Sequence, residues 1–557
     1  MEKAGFTIQG KLVDVVHRKI FNAEVRVENG IIQQVNPIDQ APNIFIAPGF
    51  VNAHVHIESS MLSPVQFSKL AMKAGTVAVV SDPHEITNVC GLEGFDYMHR
   101  NATQTPLKVF LGAPSCVPAT PFETSGAIIS AKDVAHLIDT YQLKFLSEMM
   151  NFPGVVFDDP EVSLKLKEAQ KRKVKIDGHA PGLSGQQLEK YVQAGISTDH
   201  ECTTIEEARE KINLGMKILI REGSAAKDFD ALNALIDEYP NEVMLCTDDS
   251  HPDDLVKGHI NLIVAKALRN KRDFFNVLRA ASYNPIKHYQ LEVGLLQVGD
   301  PADFILIDSF EEASVIATFI DGVQVFDGKE LTIELHDTPG VNQFFAENVA
   351  PNDLKIENKG LPIRVIEAFD GSLLTGESTH LFPSNQAFLE SDVANDILKL
   401  VVINRYKPSK PQIAFIKKFG LKKGAIASCI AHDSHNIIAV GTNDRDLQAA
   451  INSIMTNQGG IAIAHGEYQQ ALPLPIGGIM TNEDGVVVAE KYLDLQAKVH
   501  EWGSPLRAPF MTLSFMALLV IPSLKLGDQG LFDVNLFQFT DLFHSTDNRD
   551  KLSETIA

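Results

Sequence analysis

The sequence predicts an α/β fold: a TIM-like (β/α)8 barrel, a small β-sandwich formed by segments before and after it, and a C-terminal α/β or α+β domain. Three observations predict it. Apolar runs rich in Val, Ile and Leu recur eight times between residues 49 and 250, each ending in a polar residue and followed, in most cases, by helical periodicity. Short alternating segments flank this series on both sides, and a long segment of mixed periodicity follows it. Right-handed crossovers close such a series into a parallel barrel, whose active sites lie at the C-terminal strand ends. The predicted units are 1–48 and 293–342 for the two sandwich segments, 49–292 for the barrel and 343–557 for the C-terminal domain.

Residues 6–47 alternate like short strands, with a turn signal at Glu28-Asn29-Gly30. The first barrel strand then ends in His54-Val55-His56. Residues i and i+2 of a strand share a face, so two imidazoles can converge on one cation. Neutral imidazole is the commonest protein ligand for such a metal. A lone His-x-His is a weak signal, and its company strengthens it. The second strand ends in Asp82 and His84, the third carries only Ser115 and Cys116, and the fourth, Lys144 to Glu148, ends in a carboxylate. The fifth and sixth end in His179 and His200, the seventh ends in charge at Arg221-Glu222, and the eighth ends in Asp248 and Asp249. Helical stretches are predicted at 131–141, 160–172, 184–194, 204–214 and 228–239. For any one of these polar residues, burial with a local hydrogen bond is a sufficient account. Five strands supplying metal-type ligands at one end make that account inadequate for the set.

Six pieces carry a resemblance: the segments Asn52 to Met61, Ser81 to Ile86, Glu148 to Val155, Asp177 to Gly182, Asp199 to Glu201 and Cys246 to Leu255. In this order they resemble the amidohydrolase superfamily of metal-dependent hydrolases and, in local wording, its adenine deaminase family. The resemblance runs from about Gly10 to the C-terminus. It implies two divalent cations, manganese or iron with zinc as the alternative. One would be held by His54, His56 and Asp248, the other by His179 and His200, with Glu148 bridging where many relatives carry a carbamylated lysine. Lys144, four residues upstream, lies too deep to bridge. The implied reaction is hydrolysis of adenine to hypoxanthine and ammonia, in purine salvage. Asp248 is then the candidate for moving the proton. Asp82 and His84 are read either as acid-base groups or as supports for a first-strand ligand. The alternatives are another amidohydrolase acting on a cyclic amide or aminated heterocycle, or a non-catalytic scaffold of the same fold.

Around the eighth strand, Asp249, His251, Asp253 and Asp254 are explained as well by loop lining and helix capping. Glu201 directly follows His200 and points away from it if the strand continues. Gly178, Gly182 and Gly185 permit the turn after the fifth strand, and no phosphate-binding Gly-rich pattern is present.

Return strands are read at Ala302 to Ile307 and Val323 to Phe326, and Val298 to Asp303 resembles the superfamily's return into its sandwich. Beyond 345, a strand at Leu400 to Ile403 and a helix at Leu447 to Asn457 are predicted, and Pro473 to Met480 also looks like the adenine deaminase family. His432-Asp433-Ser434-His435 could reach the barrel mouth as a substrate contact or a second metal site; the plainer reading is a capped turn.

The 557 residues exceed one ordinary domain, and 45% hydrophobic content supplies a core. A formal net charge of -22 argues against a nucleic-acid substrate, since phosphate contacts need stripes of Lys and Arg. A free nucleobase needs none. Five scattered cysteines, Cys90, Cys116, Cys202, Cys246 and Cys429, read as reduced thiols, with the middle three near strand ends and open to oxidation. Met1 to Phe6 lacks the start of a signal peptide, and the longest apolar stretch, Met511 to Ile521, is too short to span a bilayer. The expectation is a cytoplasmic protein with a small-molecule partner, no nucleic acid and no membrane, and from the family a homo-oligomer, with a dimer expected.

Overall fold

The computed structural model of the protein describes residues 5–224 and 226–544. Met1–Ala4, in the stretch read for a signal peptide, lie outside them. Four strands come first: β1 (Phe6–Asp14), β2 (Lys19–Glu28), β3 (Ile31–Pro37) and β4 (Phe45–Pro48). The β2–β3 hairpin turns at Asn29 and Gly30, whose φ of 53° and 79° are the left-handed values a tight two-residue turn requires. Then come β5 (Phe50–His56), β6 (Thr76–Ser81), β7 (Lys108–Leu111), β8 (Phe145–Met149), β9 (Lys175–Gly178), β10 (Thr198–Asp199), β11 (Lys217–Arg221) and β12 (Val243–Cys246). A two-residue segment, β13 (Asp248–Asp249), follows, and the chain returns through β14 (Phe304–Ser309), β15 (Ser314–Ile320) and β16 (Val323–Phe326).

Parallel pairing joins β5, β6 and β7, then β8 and β9, then β10, β11 and β12. Backbone bonds lead from each arc to the next. Ser147 N donates to Ala113 O and Ser197 N to Ile176 O, each at 2.9 Å, while Asp248 pairs with Val55. This is an α/β domain of TIM-barrel type. Every residue of β5 and β6 is buried, which is why both strands read as near-continuous apolar runs.

The predicted helices at 131–141 and 160–172 form as Ala131–Tyr141 and Pro160–Arg172, capped by Ser130 and Asp159. The helix expected at 228–239 is two short ones, Phe229–Leu232 and Leu235–Glu238. The Asn233 side chain between them donates to Phe229 O and Asp230 O, competing with the helical ladder.

The sandwich segments join into one continuous sheet of seven strands, in the order β16-β15-β14-β4-β1-β2-β3. The sheet curls on itself. Phe6 of β1 meets Phe319 of β15 at 5.4 Å between ring centroids, although β14 and β4 lie between those strands. The curl encloses a core of Leu12, Val25, Ile46, Phe304 and Phe319. β15 was not anticipated from the sequence.

The C-terminal part holds an eight-stranded sheet in the order Gly376–His380, Ile363–Glu367, Gln412–Lys417, Leu398–Ile403, Ile437–Gly441, Ala425–Ser428, Ile461–His465, Tyr468–Leu472. All neighbours are antiparallel except Ile363–Glu367 with Gln412–Lys417. Strand alternation divides its residues. Ala425, Ala427, Ala439, Ala462 and Ala464 lie against Leu447, Ile451 and Ile454 of the helix Asp444–Asn457, and small side chains let that helix approach closely. Ile426, Ile438, Val440, Ile461 and Ile463 belong instead to the same apolar core as the parallel strands. Each fully buried Ile contributes about 1.5–3 kcal/mol, so this shared core binds the two parts firmly. Met511 to Ile521 is buried along the seam. No helix among the described residues is long and apolar enough to cross a membrane.

Candidate metal centre

The two histidines that end β5 bring their Nε2 atoms within 3.2 Å of each other. Asp248 Oδ1 lies 3.4 Å from His54 Nε2 and 3.3 Å from His56 Nε2. Asn52, one inward position earlier on β5, fixes the register of the two chain ends. Its Oδ1 accepts from Thr247 N at 3.1 Å and its Nδ2 donates to Thr247 Oγ1 at 2.7 Å. The eighth strand breaks at Thr247, and Asp248 continues at φ 55°, a left-handed conformation that Asp tolerates better than most residues.

Glu148, near the end of β8, spans the site. Its Oε1 is 3.2 Å from His56 Nε2, and its Oε2 is 2.7 Å from His179 Nδ1 and 3.2 Å from His200 Nε2. The six residues His54, His56, Glu148, His179, His200 and Asp248 are thus brought together, all buried. Donor atoms about 3.4 Å apart are the edges of a tetrahedron around a cation with bonds of about 2.0–2.1 Å. The separations of 3.2–3.4 Å among His54, His56, Asp248, Glu148 and His200 fit that spacing, whereas His179 Nδ1 and Glu148 Oε2, at 2.7 Å, meet in a direct hydrogen bond. His179 Nε2 is buried without a hydrogen-bond partner among the described residues, a further sign of a donor set made for a ligand. The triads His54/His56/Asp248, His54/Glu148/His200 and His179/His200/Glu201 could each hold a cation.

Against the cost of burial, carboxylates and imidazoles of the cluster hold one another in their charged forms, raising His56, His179 and His200, and His54 is the exception. Burial, with the His200 charge beside it, pushes His54 down to about 4, so its imidazole is neutral at pH 7. Burial alone would raise Glu148, but the adjoining His179 and His200 hold it well below the usual carboxylate range. Burial likewise opposes ionisation of Asp248, and hydrogen bonds from His54 and His56 together with the Arg221 charge overcome it. The Arg221 guanidinium donates to Asp248 Oδ2 at 3.0 Å and also pairs with Glu201 and with Asp228.

Glu201 is a correction. β10 ends at Asp199, so strand alternation does not extend to Glu201, and its Oε1 turns inward to 3.5 Å from His200 Nε2 and 3.7 Å from His179 Nδ1. Asp82 and His84 form a pair, Oδ2 to Nδ1 at 2.9 Å. The carbonyl of Asp82 faces His56 Nδ1 at 3.1 Å, and His84 Nδ1 lies 3.6 Å from Glu148 Oε1. Lys144 pairs with Glu292 and is remote from the site. Asp249 accepts a hydrogen bond from Ser59, His251 bonds Tyr492, and Asp253 and Asp254 face Lys257, so these four serve the surrounding wall.

His432 to His435 does reach the mouth. His432 Nδ1 is 2.7 Å from Glu85 Oε1, and His435 pairs with the other oxygen of Glu85. Asp433 Oδ2 lies 3.8 Å from His84 Nε2. Sequence reasoning missed Arg221, Glu85 and Glu123 as parts of this neighbourhood. Only the charged end of the seventh strand signalled the first of them. The five cysteines are buried and unpaired, and burial holds the thiols of Cys116, Cys202 and Cys246 protonated, which lowers their reactivity.

A parallel α/β domain with imidazoles and carboxylates gathered at its C-terminal strand ends has the organisation of a metal-dependent amidohydrolase. Residues 45–325 match the amidohydrolase family, and residues 372–538 match the adenine deaminase C-terminal domain. The adenine deaminase of Methanosarcina barkeri is 52% identical over 546 residues, covering 96% of this chain and 99% of that one. Those of Methanosarcina mazei and Salinibacter ruber are 50% and 49% identical, covering 96% and 97% of this chain and 99% of each relative. The chain belongs to the adenine deaminase family.

Proposed function

We propose that the protein hydrolyses adenine to hypoxanthine and ammonia in purine salvage, with two divalent cations per chain. The observation that carries this reading is Glu148, whose two oxygens face His56 on one side and His179 and His200 on the other. In this reading His54, His56 and Asp248 would hold one cation, His179 and His200 the other, and Glu148 would serve both. When bound, two such cations acidify a water to a pKa of about 7 and make it a nucleophile at neutral pH. Imidazole and carboxylate donors suit manganese, iron and zinc alike, and the choice of manganese or iron rests on the family resemblance.

Water adds at C6 of adenine and the C6–N bond breaks. One proton must pass to the ring nitrogen beside C6 and another to the departing amine. Asp248 is assigned this transfer: Arg221 holds its Oδ2, leaving Oδ1 toward His54 and His56. Asp82 and His84 are assigned the orientation of His56 and a share of the acid-base work, supported by their mutual bond and the contact of His56 with the Asp82 carbonyl. The pairing pattern also supports a closed (β/α)8 barrel over 49–292, with 1–48 and 293–342 as one unit and 343–557 as another.

The test is ammonia release from adenine beside guanine, cytosine, adenosine and dihydroorotate, after stripping metal and restoring manganese, iron or zinc in turn. Metal-dependent conversion of adenine alone is expected. Activity confined to another heterocycle would discard the substrate.

A further inference from the structure

Beyond His84 from the candidate cation ligands, two loops from different parts of the chain meet. One follows β7 and carries Glu123; the other, from the C-terminal sheet, carries Asp433. They are tied together, since Asn436 Nδ2 donates to Thr124 O at 2.9 Å. The C-terminal loop is also anchored on its far side: His432 stacks on Phe515 with centroids 4.5 Å apart, and His432 N donates to Ser514 O at 3.1 Å. His432 Nδ1 and His435 Nε2 pair with Glu85, while the other nitrogen of each ring has no partner among the described residues.

Within this braced wall two carboxylate oxygens have no hydrogen-bond partner among the described residues, Asp433 Oδ2 and Glu123 Oε2. Asp433 is 2% exposed and Glu123 6%. The other oxygen of Glu123 is used, accepting from Thr120 N and Oγ1 at 3.0 and 3.2 Å. A buried acceptor left unpaired is costly, and a built wall that retains one is suited to a ligand that brings a donor. His84 stands between Asp433 and Glu148, its Nε2 3.8 Å from Asp433 Oδ2 and its Nδ1 3.6 Å from Glu148 Oε1. The His84 ring, with a contact on each side, thus separates Asp433 from Glu148.

Resting on the reading of adenine as substrate, we propose that Asp433 is a specificity-determining residue that accepts the ring N–H of the purine's five-membered ring. The amine that leaves must lie at the cation side, by Glu148 and Asp248. The remaining donor of neutral adenine is that ring N–H, on the far side of the bicycle, and it meets the unpaired oxygen of Asp433. Glu123 closes the same wall behind it. The C-terminal domain thereby selects free nucleobases: a nucleoside has a sugar where the donor should be.

The experiment compares the holoenzyme with Asp433→Ala, which deletes the acceptor, and Asp433→Asn, which keeps one amide oxygen. It measures KM for adenine, metal content, and inhibition by purine and by 9-methylpurine; purine keeps the ring N–H and has no amine to lose. Asp433→Ala is expected to raise KM for adenine and Ki for purine at least tenfold, to leave Ki for 9-methylpurine within twofold and to retain both cations. Asp433→Asn is expected to fall between. Equal weakening of both inhibitors, weakening of neither, or loss of a cation from Asp433→Ala would overturn the proposal; the last would make the loop a metal site. If the wild-type holoenzyme releases no ammonia from adenine, the substrate reading falls separately. Calorimetric binding of purine against 9-methylpurine then decides Asp433, and absence of purine binding overturns it.

Discussion

Arg221 and Asp248 share a hydrogen bond of 3.0 Å in which both side chains are buried, at 2% and 6% exposure. The same guanidinium pairs with Glu201, so one residue of β11 holds two carboxylates at the proposed cation site. Removing it leaves two buried negative charges without their partner. Arg221→Met is expected to cost about 3–5 kcal/mol of stability, read as a lower Tm in the metal-free protein. Arg221→Lys keeps the charge but not the planar fork, so it should recover only part of that loss. An Arg221→Met protein with unchanged Tm would remove this role.

Glu148→Gln keeps the shape of the spanning carboxylate and deletes its charge. Turnover is expected to fall by at least about 100-fold, with fewer than two cations retained per chain. Full activity at normal metal content would refute the bridge.

His54→Asn tests one side of the site alone. The variant should retain the cation held by His179 and His200 and lose the other, giving close to one metal per chain by elemental analysis. Two metals per chain would undo the first-strand assignment.

Stripping the cations should itself destabilise the fold, because Glu148, Asp248 and Glu201 are buried around one point. At a free metal concentration 1,000 times Kd, binding stabilises by about 4.1 kcal/mol per site, so Tm should climb on titration with manganese. A Tm indifferent to added metal would count against a resident cation.

Far from this site, Glu367 pairs with Lys417 at 2.7 Å and Lys418 at 2.9 Å. Partial burial opposes its ionisation, yet the two lysines lower it to about 2. Its folded pKa is below the unfolded value of about 4.3, so its contribution is complete above that pH and is lost as pH falls toward 2. The lysines are partly exposed, so Glu367→Gln should cost only about 1 kcal/mol at pH 7. The Tm difference from wild type should vanish between pH 4.3 and 2; a difference that persisted at pH 2 would exclude the ion pairs as its source.

Much of the centre was legible because strand periodicity is local. His54 and His56 share a face by simple alternation, and Glu148, His179, His200 and Asp248 each stand at or just past the end of an apolar run. Glu201 was misread for the same reason in reverse: alternation was carried past Asp199, where the strand has stopped. Arg221 was seen as a charged strand end, but Glu201 and Asp248, the partners that place it at the site, lie 20 and 27 residues away and only folding unites them. The single helix expected over 228–239 failed because Asn233 satisfies backbone carbonyls through its side chain, a competition that periodicity does not register.

The clamp of His432 and His435 on Glu85 sets an order of events during synthesis. Glu85 and His435 are 350 residues apart in the chain. At about 5–20 residues per second, the ribosome takes roughly 20–70 s to pass from one to the other. Only in the later part of that interval, once Asp248 has been made, can the nascent barrel strands gather their imidazoles and carboxylates while the wall holding Asp433 does not yet exist. On the proposed roles of these residues, metal capture can precede selectivity, and the choice of nucleobase would arrive only as the last third of the chain leaves the ribosome.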